Sequence, residues 1–282
     1  MVGDMLNVER HSASLAANPA AFDGVAADYD IAFTETTLGR ILRRRVWRRL
    51  EGCFEPGQRV LELACGTGED ACRLAAGGVH VTATDGSVEM VRLAEVKATR
   101  AGLADMITTR VLSLQQLTKD NRPFDGPPYD GAFSNFGGVN TIGDWRGLAA
   151  GLADLVQPGG FVVLVPMGPI CPWEIGWHLA HGQMREAIRR LGRDSTARIG
   201  EGRIPVWYPS AGRLRDDFGP WFRTASVESL GLWLPPSYLG RLLSLWPSLW
   251  VGLSGLDAAS ARLARGIGDH YIMILERNDE WR

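Results

Sequence analysis

The sequence contains very little lysine. Lys97 and Lys119 are the only lysines among its 30 basic residues, and the other 28 are arginines. The 32 acidic residues balance them, so the formal net charge is -2. A chain without excess positive charge lacks the electrostatic footprint of a nucleic-acid-binding protein. We therefore expect no nucleic-acid partner, and we interpret the arginine bias as a property of genome composition.

The usual signatures of metal and redox sites are also missing. The four cysteines are Cys53, Cys65, Cys72 and Cys171. No two of them have the C-x-x-C spacing that is typical of zinc sites and redox pairs. We therefore predict no metal, and reduced thiols in a cytoplasmic protein.

No segment predicts stable membrane insertion. The first 20 residues lack the basic start and apolar core of a secretory signal. The longest uncharged apolar run, LLSLWPSLWVGLSGL at 242–256, contains Pro247. It is shorter than the roughly 20 residues that a spanning helix needs. Peripheral contact with a membrane surface stays open as an alternative, because tryptophan favours interfaces. No pattern addresses the oligomeric state.

The sequence does contain a regular alternation of strand and helix patterns. Strands are predicted at 59–64, 80–85, 107–114, 129–136 and 161–167, with helical patterns between most of them. This rhythm indicates crossover units and a parallel sheet. Later strands at 223–234 and 268–277 complete the predicted fold class, an α/β fold with a seven-stranded, mostly parallel sheet and helices on both faces.

Two segments interrupt the alternation and are predicted to cover one end of the sheet. They are residues 168–222 and 235–267. Within them the patterns predict a helix over 173–193, extended chain over 198–208, a short helix over 210–222 and helices over 236–265 around Pro247. A helical pattern also runs from Phe22 to Leu50, before the first strand.

The stretch VLELACGTGED at 60–70 predicts a ligand site. A buried strand leads into a glycine turn, and ligands of parallel sheets bind at this edge. Gly66 and Gly68 allow close approach of a backbone to a ligand. A dinucleotide fingerprint would need a third glycine where Glu69 stands, and pyrophosphate would meet the carboxylates of Glu69 and Asp70. Both points argue against an NAD-dependent oxidoreductase.

Other side chains in and after the first three predicted strands are suited to bind a ligand that combines an amino acid with a nucleoside. Glu62, inside the first strand, can reach an amino group. Asp85, which ends the second strand, can accept hydrogen bonds from both ribose hydroxyls. Met90 can cover an adenine ring, and Ser113 with Leu114 stands where the adenine amine would be recognised.

Four sequence blocks resemble the class I S-adenosylmethionine-dependent methyltransferases. They are ELACGTGED (62–70), TATDGSVEM (82–90), YDGAFSNFG (129–137) and LVQPGGFVVLV (155–165). The resemblance implies a Rossmann-like fold and S-adenosyl-L-methionine as cofactor. One departure is Ala64, where the family more often has glycine. The cofactor-binding residues that the resemblance implies are Tyr29, Glu62, Ala64, Cys65, Gly66, Gly68, Asp85, Gly86, Met90, Ser113, Leu114, Ser134, Asn135 and Phe136.

The resemblance implies an enzyme that methylates a small, partly apolar molecule by direct transfer. The alternative is a non-catalytic S-adenosylmethionine-binding protein with a regulatory or scaffold role. Both agree with a division into an N-terminal helical lid (1–50), a cofactor-binding core (51–167) and a region of remaining strands with an inserted substrate cover (168–282).

Catalytic residues are not specified by the sequence, because methyl transfer needs a base only when the acceptor must lose a proton. Candidates are Tyr29, His178 and His181, with packing or helix surface as the alternative. Some amine-methylating relatives carry an N/D-P-P-aromatic motif after strand four, and SNFG here lacks its prolines. Candidate substrate-binding residues are Asn135, Trp173, Trp177, His178 and Tyr208.

Arginines and tryptophans outside the motifs have two interpretations each. Arg43, Arg44 and Arg45 form either a solvated helix face or a clamp for a carboxylate. Eight of the ten tryptophans stand at or after residue 173, and they either stabilise the cover or line an apolar acceptor cavity. These eight are Trp173, Trp177, Trp207, Trp221, Trp233, Trp246, Trp250 and Trp281.

Overall fold

A seven-stranded sheet forms the centre of the chain in the computed structural model, which describes residues 19–117, 123–192, 195–200, 202–236 and 247–279. The strand order is β3-β2-β1-β4-β5-β9-β8. Strand β9 runs antiparallel to β5 and β8, and the other pairs are parallel. The predicted fold class is thereby confirmed. The strands are β1 Arg59–Leu63, β2 His80–Asp85, β3 Ile107–Val111, β4 Tyr129–Ser134, β5 Val156–Leu164, β8 Phe222–Leu230 and β9 His270–Arg277.

A separate hairpin and a series of helices surround this sheet. The hairpin pairs β6, Ser195–Ile199, with β7, Gly202–Val206. Ser87 caps α4 by accepting the backbone N–H of Met90 at 3.1 Å, as its position before the helical pattern predicts. The described α-helices are α1 Ala26–Tyr29, α2 Thr37–Leu50, α3 Glu69–Ala76, α4 Val88–Arg100, α5 Trp145–Leu155, α6 Pro172–Ala180, α7 Met184–Ala187, α8 Ala211–Phe218 and α9 Pro247–Ala264.

The sheet separates two apolar layers because side chains alternate along each strand. Val60 of β1 lies in the layer that contains α2, α3 and Trp250 of α9. Its neighbour Leu61 lies in the layer that contains α5 and α8. Both residues are fully buried. Burial on both faces explains why apolar residues occupy two consecutive positions at Val60 and Leu61.

Two predicted elements differ from the structure. The expected continuous helix over 173–193 is interrupted: α6 ends at Ala180, and Gly182 takes a left-handed conformation with φ +72° before the short α7. Strand β5 begins at Val156, ahead of the Pro-Gly-Gly that was expected to precede it. The register between β4 and β5 shifts at this point: Tyr129 pairs with Val156, but Gly131, two residues on, pairs with Phe161, five residues on.

The arginines of α2 point in different directions. Arg44 is exposed, but Arg43 and Arg45 are buried, so a solvated helix face is wrong for these two. Arg45 forms an ion pair with Asp257 of α9, which also accepts the backbone N–H groups of Gly231 at 3.1 Å and Trp233 at 2.9 Å.

The C-terminal tryptophans lie on both sides of the sheet. The rings of Trp173 and Trp250 pack together with centroids 6.1 Å apart, in the layer that contains α2 and α3. Trp207 and Trp221 pack in the layer that contains α5 and α8, so these four side chains do not line one common cavity.

Some expectations fall on residues outside those described. They concern residues 1–18, Trp246, Trp281 and the beginning of the apolar run at 242–256. Within the ranges that are described, no helix has the length and apolar character needed to cross a bilayer.

Removal of the Asp257 carboxylate should strongly destabilise the fold. Asp257→Ala leaves the buried Arg45 guanidinium without its charged partner and two backbone N–H groups without an acceptor. We expect the free energy of unfolding, measured by urea titration, to fall by about 3–5 kcal/mol. The matched control is Asp216→Ala, which removes an exposed partner of Arg215 and should cost less than about 1 kcal/mol. Equal losses in the two variants would contradict this account.

Candidate functional site

The turn after β1 takes backbone conformations that favour glycine. Gly66 and Gly68 have φ values of +54° and +77°. A Cβ on Gly68 would lie 2.8 Å from the Cβ of Ala94, so this glycine permits α3 and α4 to pack closely. Ala64 has φ +52°, a left-handed conformation that costs a non-glycine residue about 1–2 kcal/mol. Its methyl group needs the space at Gly138, where an added Cβ would come within 2.7 Å of it.

Asp85 joins this turn to the end of β2. One carboxylate oxygen accepts the backbone N–H of Gly66 at 2.9 Å, and the other accepts that of Ser87 at 2.9 Å. Burial raises the pKa of Asp85, although the N–H groups of Ser87 and Gly66 act in the opposite direction. The carboxylate therefore lies in a partly desolvated position, where further hydrogen-bond donors would stabilise its charged form.

A cavity opens at the carboxyl ends of β1, β2 and β4. Ten of the fourteen cofactor-binding candidates line it. The other four, Glu62, Cys65, Gly68 and Ser134, are not among the lining residues. The lining residues are Phe22, Tyr29, Ala64, Gly66, Asp85, Gly86, Met90, Leu112, Ser113, Leu114, Gln115, Asn135, Phe136, Gly137, Gly138 and Thr141.

Three buried polar atoms beside the cavity have no hydrogen-bond partner among the described parts of the chain. They are Oε2 of Glu62, Oγ of Ser134 and Oδ1 of Asn135. Burial raises the pKa of Glu62 well above its ordinary value, and the nearby charge of Asp70 acts in the same direction. Buried polar atoms without partners are costly. Of the three residues, Asn135 lines the cavity, so a ligand N–H donor there would pair with its Oδ1.

The amide of Asn135 is held by a buried ion pair. Its Nδ2 donates to Oδ2 of Asp70 at 2.9 Å, and Nη1 of Arg43 lies 2.6 Å from the same oxygen. The indole N–H of Trp47 donates to the other oxygen of Asp70 at 2.6 Å. Because the amide nitrogen is engaged, Oδ1 of Asn135 is left as the free acceptor. The arginine clamp considered from the sequence thus exists, but its carboxylate belongs to the protein itself.

Aromatic side chains of the segment before α2 pack against Phe136 at the cavity. The ring of Tyr29 lies 6.2 Å from that of Phe33, which packs edge-on against Phe136 at 5.1 Å. The Arg43 guanidinium lies 4.9 Å from the centre of the Phe136 ring. Burial raises the pKa of the Tyr29 hydroxyl. Phe136 adopts a left-handed φ of +47°, and such strain concentrates at functional sites.

Candidates from the cover segment do not line this cavity. Nδ1 of His178 lies 2.6 Å from Gln183, and the exposed His181 ring stacks on Trp177 with centroids 4.4 Å apart. Trp173 packs on Trp250, and Tyr208 lies beneath the Arg190 guanidinium at 5.3 Å. Among the described residues, no group of His, Cys, Asp and Glu side chains could hold a metal ion.

Six lining residues were not predicted from the sequence. Leu112 and Gln115 flank the predicted pair Ser113–Leu114, and Gly137 and Gly138 follow Phe136, so wider windows around those motifs would have included them. Phe22 and Thr141 had no such signal, because a 3-10 turn in the lid and another after β4 bring them to the site.

Comparisons with known proteins agree with this geometry. A family model described as a methyltransferase domain matches residues 60–160. Demethylmenaquinone methyltransferase of Corynebacterium urealyticum is 30% identical over 154 residues, which are 54% of this chain and 60% of that protein. The enzyme of that name from Mycobacterium sp. (strain KMS) is 33% identical over 160 residues, which are 54% of this chain and 62% of that protein. This chain thus matches about three-fifths of the length of these relatives.

Solved structures show the same fold. The DhpI–SAH complex superposes with a TM-score of 0.57 at 18% identity, covering 94% of this chain and 98% of that one. Geranyl diphosphate C-methyltransferase from Streptomyces coelicolor A3(2) superposes with a TM-score of 0.53 at 14% identity, covering 83% of this chain and 77% of that one. Residues 60–160 of this chain thus match a methyltransferase domain, and the fold is the Rossmann-like fold of the class I S-adenosylmethionine-dependent methyltransferases.

The methyltransferase cofactor fits the residues present. S-adenosylmethionine carries an ammonium group, and Asn135, whose Oδ1 is an unpartnered acceptor, lines the cavity together with Gly66. It also carries a ribose and an adenine, and Asp85 and the pair Ser113–Leu114 line the same cavity. These residues are the ones that would hold it.

Substitution at Asp85 should weaken cofactor binding. Asp85→Asn keeps one carbonyl acceptor but cannot accept from Gly66, Ser87 and a ribose together. We expect the dissociation constant for S-adenosylhomocysteine, measured by calorimetry, to rise about 10–100-fold. Asp105→Asn, in an exposed turn away from the cavity, should bind as the wild type does. Wild-type affinity in the Asp85 variant would contradict the role given to this carboxylate.

Proposed function

We propose that this chain is an S-adenosylmethionine-dependent methyltransferase that acts on a small, largely apolar acceptor of the quinone class. The proposal is carried by one observation: the cavity at the glycine turn is lined both by the carboxylate of Asp85 and by the aromatic residues Tyr29 and Phe136. An acceptor bound against these rings would be adjacent to the cofactor. When bound, S-adenosylmethionine supplies an electrophilic methyl group on a sulfonium sulfur.

The chain's own residues act by positioning and by excluding water. Tyr29 and Phe136 provide a dry wall against which a flat apolar acceptor can stack. The Asp70–Arg43 pair fixes the amide of Asn135, so that the end of β4 keeps one orientation. Accurate alignment of two reactants is sufficient to lower the barrier of a direct displacement substantially.

The ionisable side chains among the described lining residues are Asp85 and Tyr29, and burial raises the pKa of the Tyr29 hydroxyl, which keeps it protonated. Among the cavity's described lining residues there is no His, Lys or Glu, and both oxygens of Asp85, its one carboxylate, accept backbone N–H groups. This composition favours an acceptor that is already nucleophilic.

A reduced quinone is such a molecule, because its hydroxyl groups make the ring carbons electron-rich. A ring carbon would form the new bond to the methyl group as the sulfonium carbon–sulfur bond breaks. S-adenosylhomocysteine would leave, and the displaced ring proton would pass to water, so no side-chain base is needed for the bond-forming step. The relatives named demethylmenaquinone methyltransferases support this substrate class for the present chain.

Methyl transfer can be tested with a defined acceptor. Purified protein with methyl-labelled S-adenosylmethionine and chemically reduced, short-chain demethylmenaquinone should yield a product in which a ring hydrogen is replaced by labelled methyl, detected by mass spectrometry. The oxidised quinone should not react. Asp85→Asn should lose most of the turnover at limiting cofactor, and Asp105→Asn should retain it. Binding of S-adenosylhomocysteine without transfer to the quinol would favour the alternative, a non-catalytic cofactor-binding regulator.

A further inference from the structure

Lys97 on α4 makes three polar contacts that converge on one ammonium group. Its Nζ donates to Oδ2 of Asp30 at 2.8 Å, to Oε2 of Glu69 at 2.9 Å and to Oγ1 of Thr67 at 3.2 Å. The three acceptors come from different segments. Asp30 belongs to the π-helical turn of the lid, Thr67 to the glycine turn and Glu69 to the first turn of α3.

The lid is fastened at this point next to a cavity residue. Asp30 follows Tyr29, whose ring would lie 3.8 Å from a Cβ on Gly66. The hydroxyl of Thr67 also donates to Oδ1 of Asp30 at 2.6 Å. The two oxygens of Asp30 therefore hold the lid to the glycine turn and to α4. Any motion that withdraws Tyr29 from the cavity must stretch or break these contacts.

The charges make this attachment depend on Lys97. The side chains of Lys97, Asp30 and Glu69 are only 25%, 27% and 31% exposed, so solvent screens them incompletely. Burial lowers the pKa of Lys97, but its hydrogen bonds to Asp30 and Glu69 raise it overall. Without the ammonium, two carboxylates would face each other across the gap between lid and α3, and their repulsion would favour separation.

The residue type is also informative. The chain has 30 basic residues, and lysine occurs at only two positions. An ammonium presents three rotatable donors to acceptors arranged around a point, whereas the flat fork of arginine suits two acceptors in one plane. The acidic partner Glu69 occupies the position where a dinucleotide-binding turn has its third glycine.

We propose that Lys97, with Asp30 and Glu69, is a latch that holds the lid over the cofactor cavity and sets the rate of cofactor exchange. Lys97 is a positioning residue, since it acts through Asp30 on the placement of Tyr29. The kinetic part of this inference rests on the proposed function, because it takes the cavity ligand to be S-adenosylmethionine or its product.

Hydrogen exchange in the ligand-free protein tests the latch without any ligand. In Lys97→Met, the backbone amides of residues 23–34 should exchange about tenfold faster than in the wild type, because charge-assisted hydrogen bonds of this kind are lost. Asp30→Asn cuts the same attachment from the lid side and should give the same pattern. The matched control, Arg92→Gln, breaks an exposed ion pair with Glu89 on the same helix and should leave lid exchange unchanged.

Stopped-flow kinetics with S-adenosylhomocysteine tests the consequence. We expect the dissociation rate constant to rise about tenfold in Lys97→Met and Asp30→Asn, with a smaller change in association and no change in Arg92→Gln. Wild-type lid exchange in Lys97→Met would overturn the proposal, and so would equally accelerated exchange in β1 and β4, which would indicate general destabilisation. Faster lid exchange in a protein that binds no S-adenosylhomocysteine would support the latch and refute the proposed function.

Discussion

The hydrogen bond from the Gly66 backbone to Asp85 is the contact on which the site depends. It ties the turn after β1 to the end of β2 across 2.9 Å, and both residues line the cavity. The turn can be this tight only because Gly66 and Gly68 accept left-handed conformations. Asp85 is consequently held in a partly buried position that raises its pKa. A ligand with hydroxyl groups would donate further hydrogen bonds to this carboxylate.

A second set of charges links the lid to the same turn. Asp70, at the start of α3, is turned inward to Arg43 and Asn135, whereas its neighbour Glu69 is turned outward to Lys97. Two consecutive acidic residues in one helical turn therefore contact different elements: Asp70 contacts α2 and the end of β4, and Glu69 contacts α4. Buried pairs of this kind are sensitive to the loss of either partner. The lid, the glycine turn and the end of β4 consequently form one connected unit.

The sequence predicted the sheet and most of the cavity wall for clear physical reasons. Consecutive apolar residues such as Val60 and Leu61 identify a strand that is buried on both faces, and the glycines after it identify the turn. The sequence did not predict that Arg43 and Arg45 are buried, because their carboxylate partners Asp70 and Asp257 are distant along the chain. Local patterns carry no information about such pairs.

The cover region was predicted less well for a related reason. Its helical pattern over 173–193 contains Gly182, and periodicity alone does not reveal whether such a glycine ends a helix. The number of tryptophans in a segment likewise does not reveal whether their side chains face the cavity or pack elsewhere. Trp173 and Trp177 were assigned to a substrate site, yet they pack on Trp250 and His181 away from the cavity that the structure describes. Their role in substrate binding stays a prediction.

A crystal structure of the protein with S-adenosylhomocysteine would test the central claim most directly. The account predicts that both ribose hydroxyls lie within hydrogen-bond distance of Asp85, that the ammonium group contacts the acceptors near Glu62 and Asn135, and that adenine lies beside Leu114. A ligand that occupies the cavity with its ribose away from Asp85, or that binds elsewhere on the chain, would contradict it.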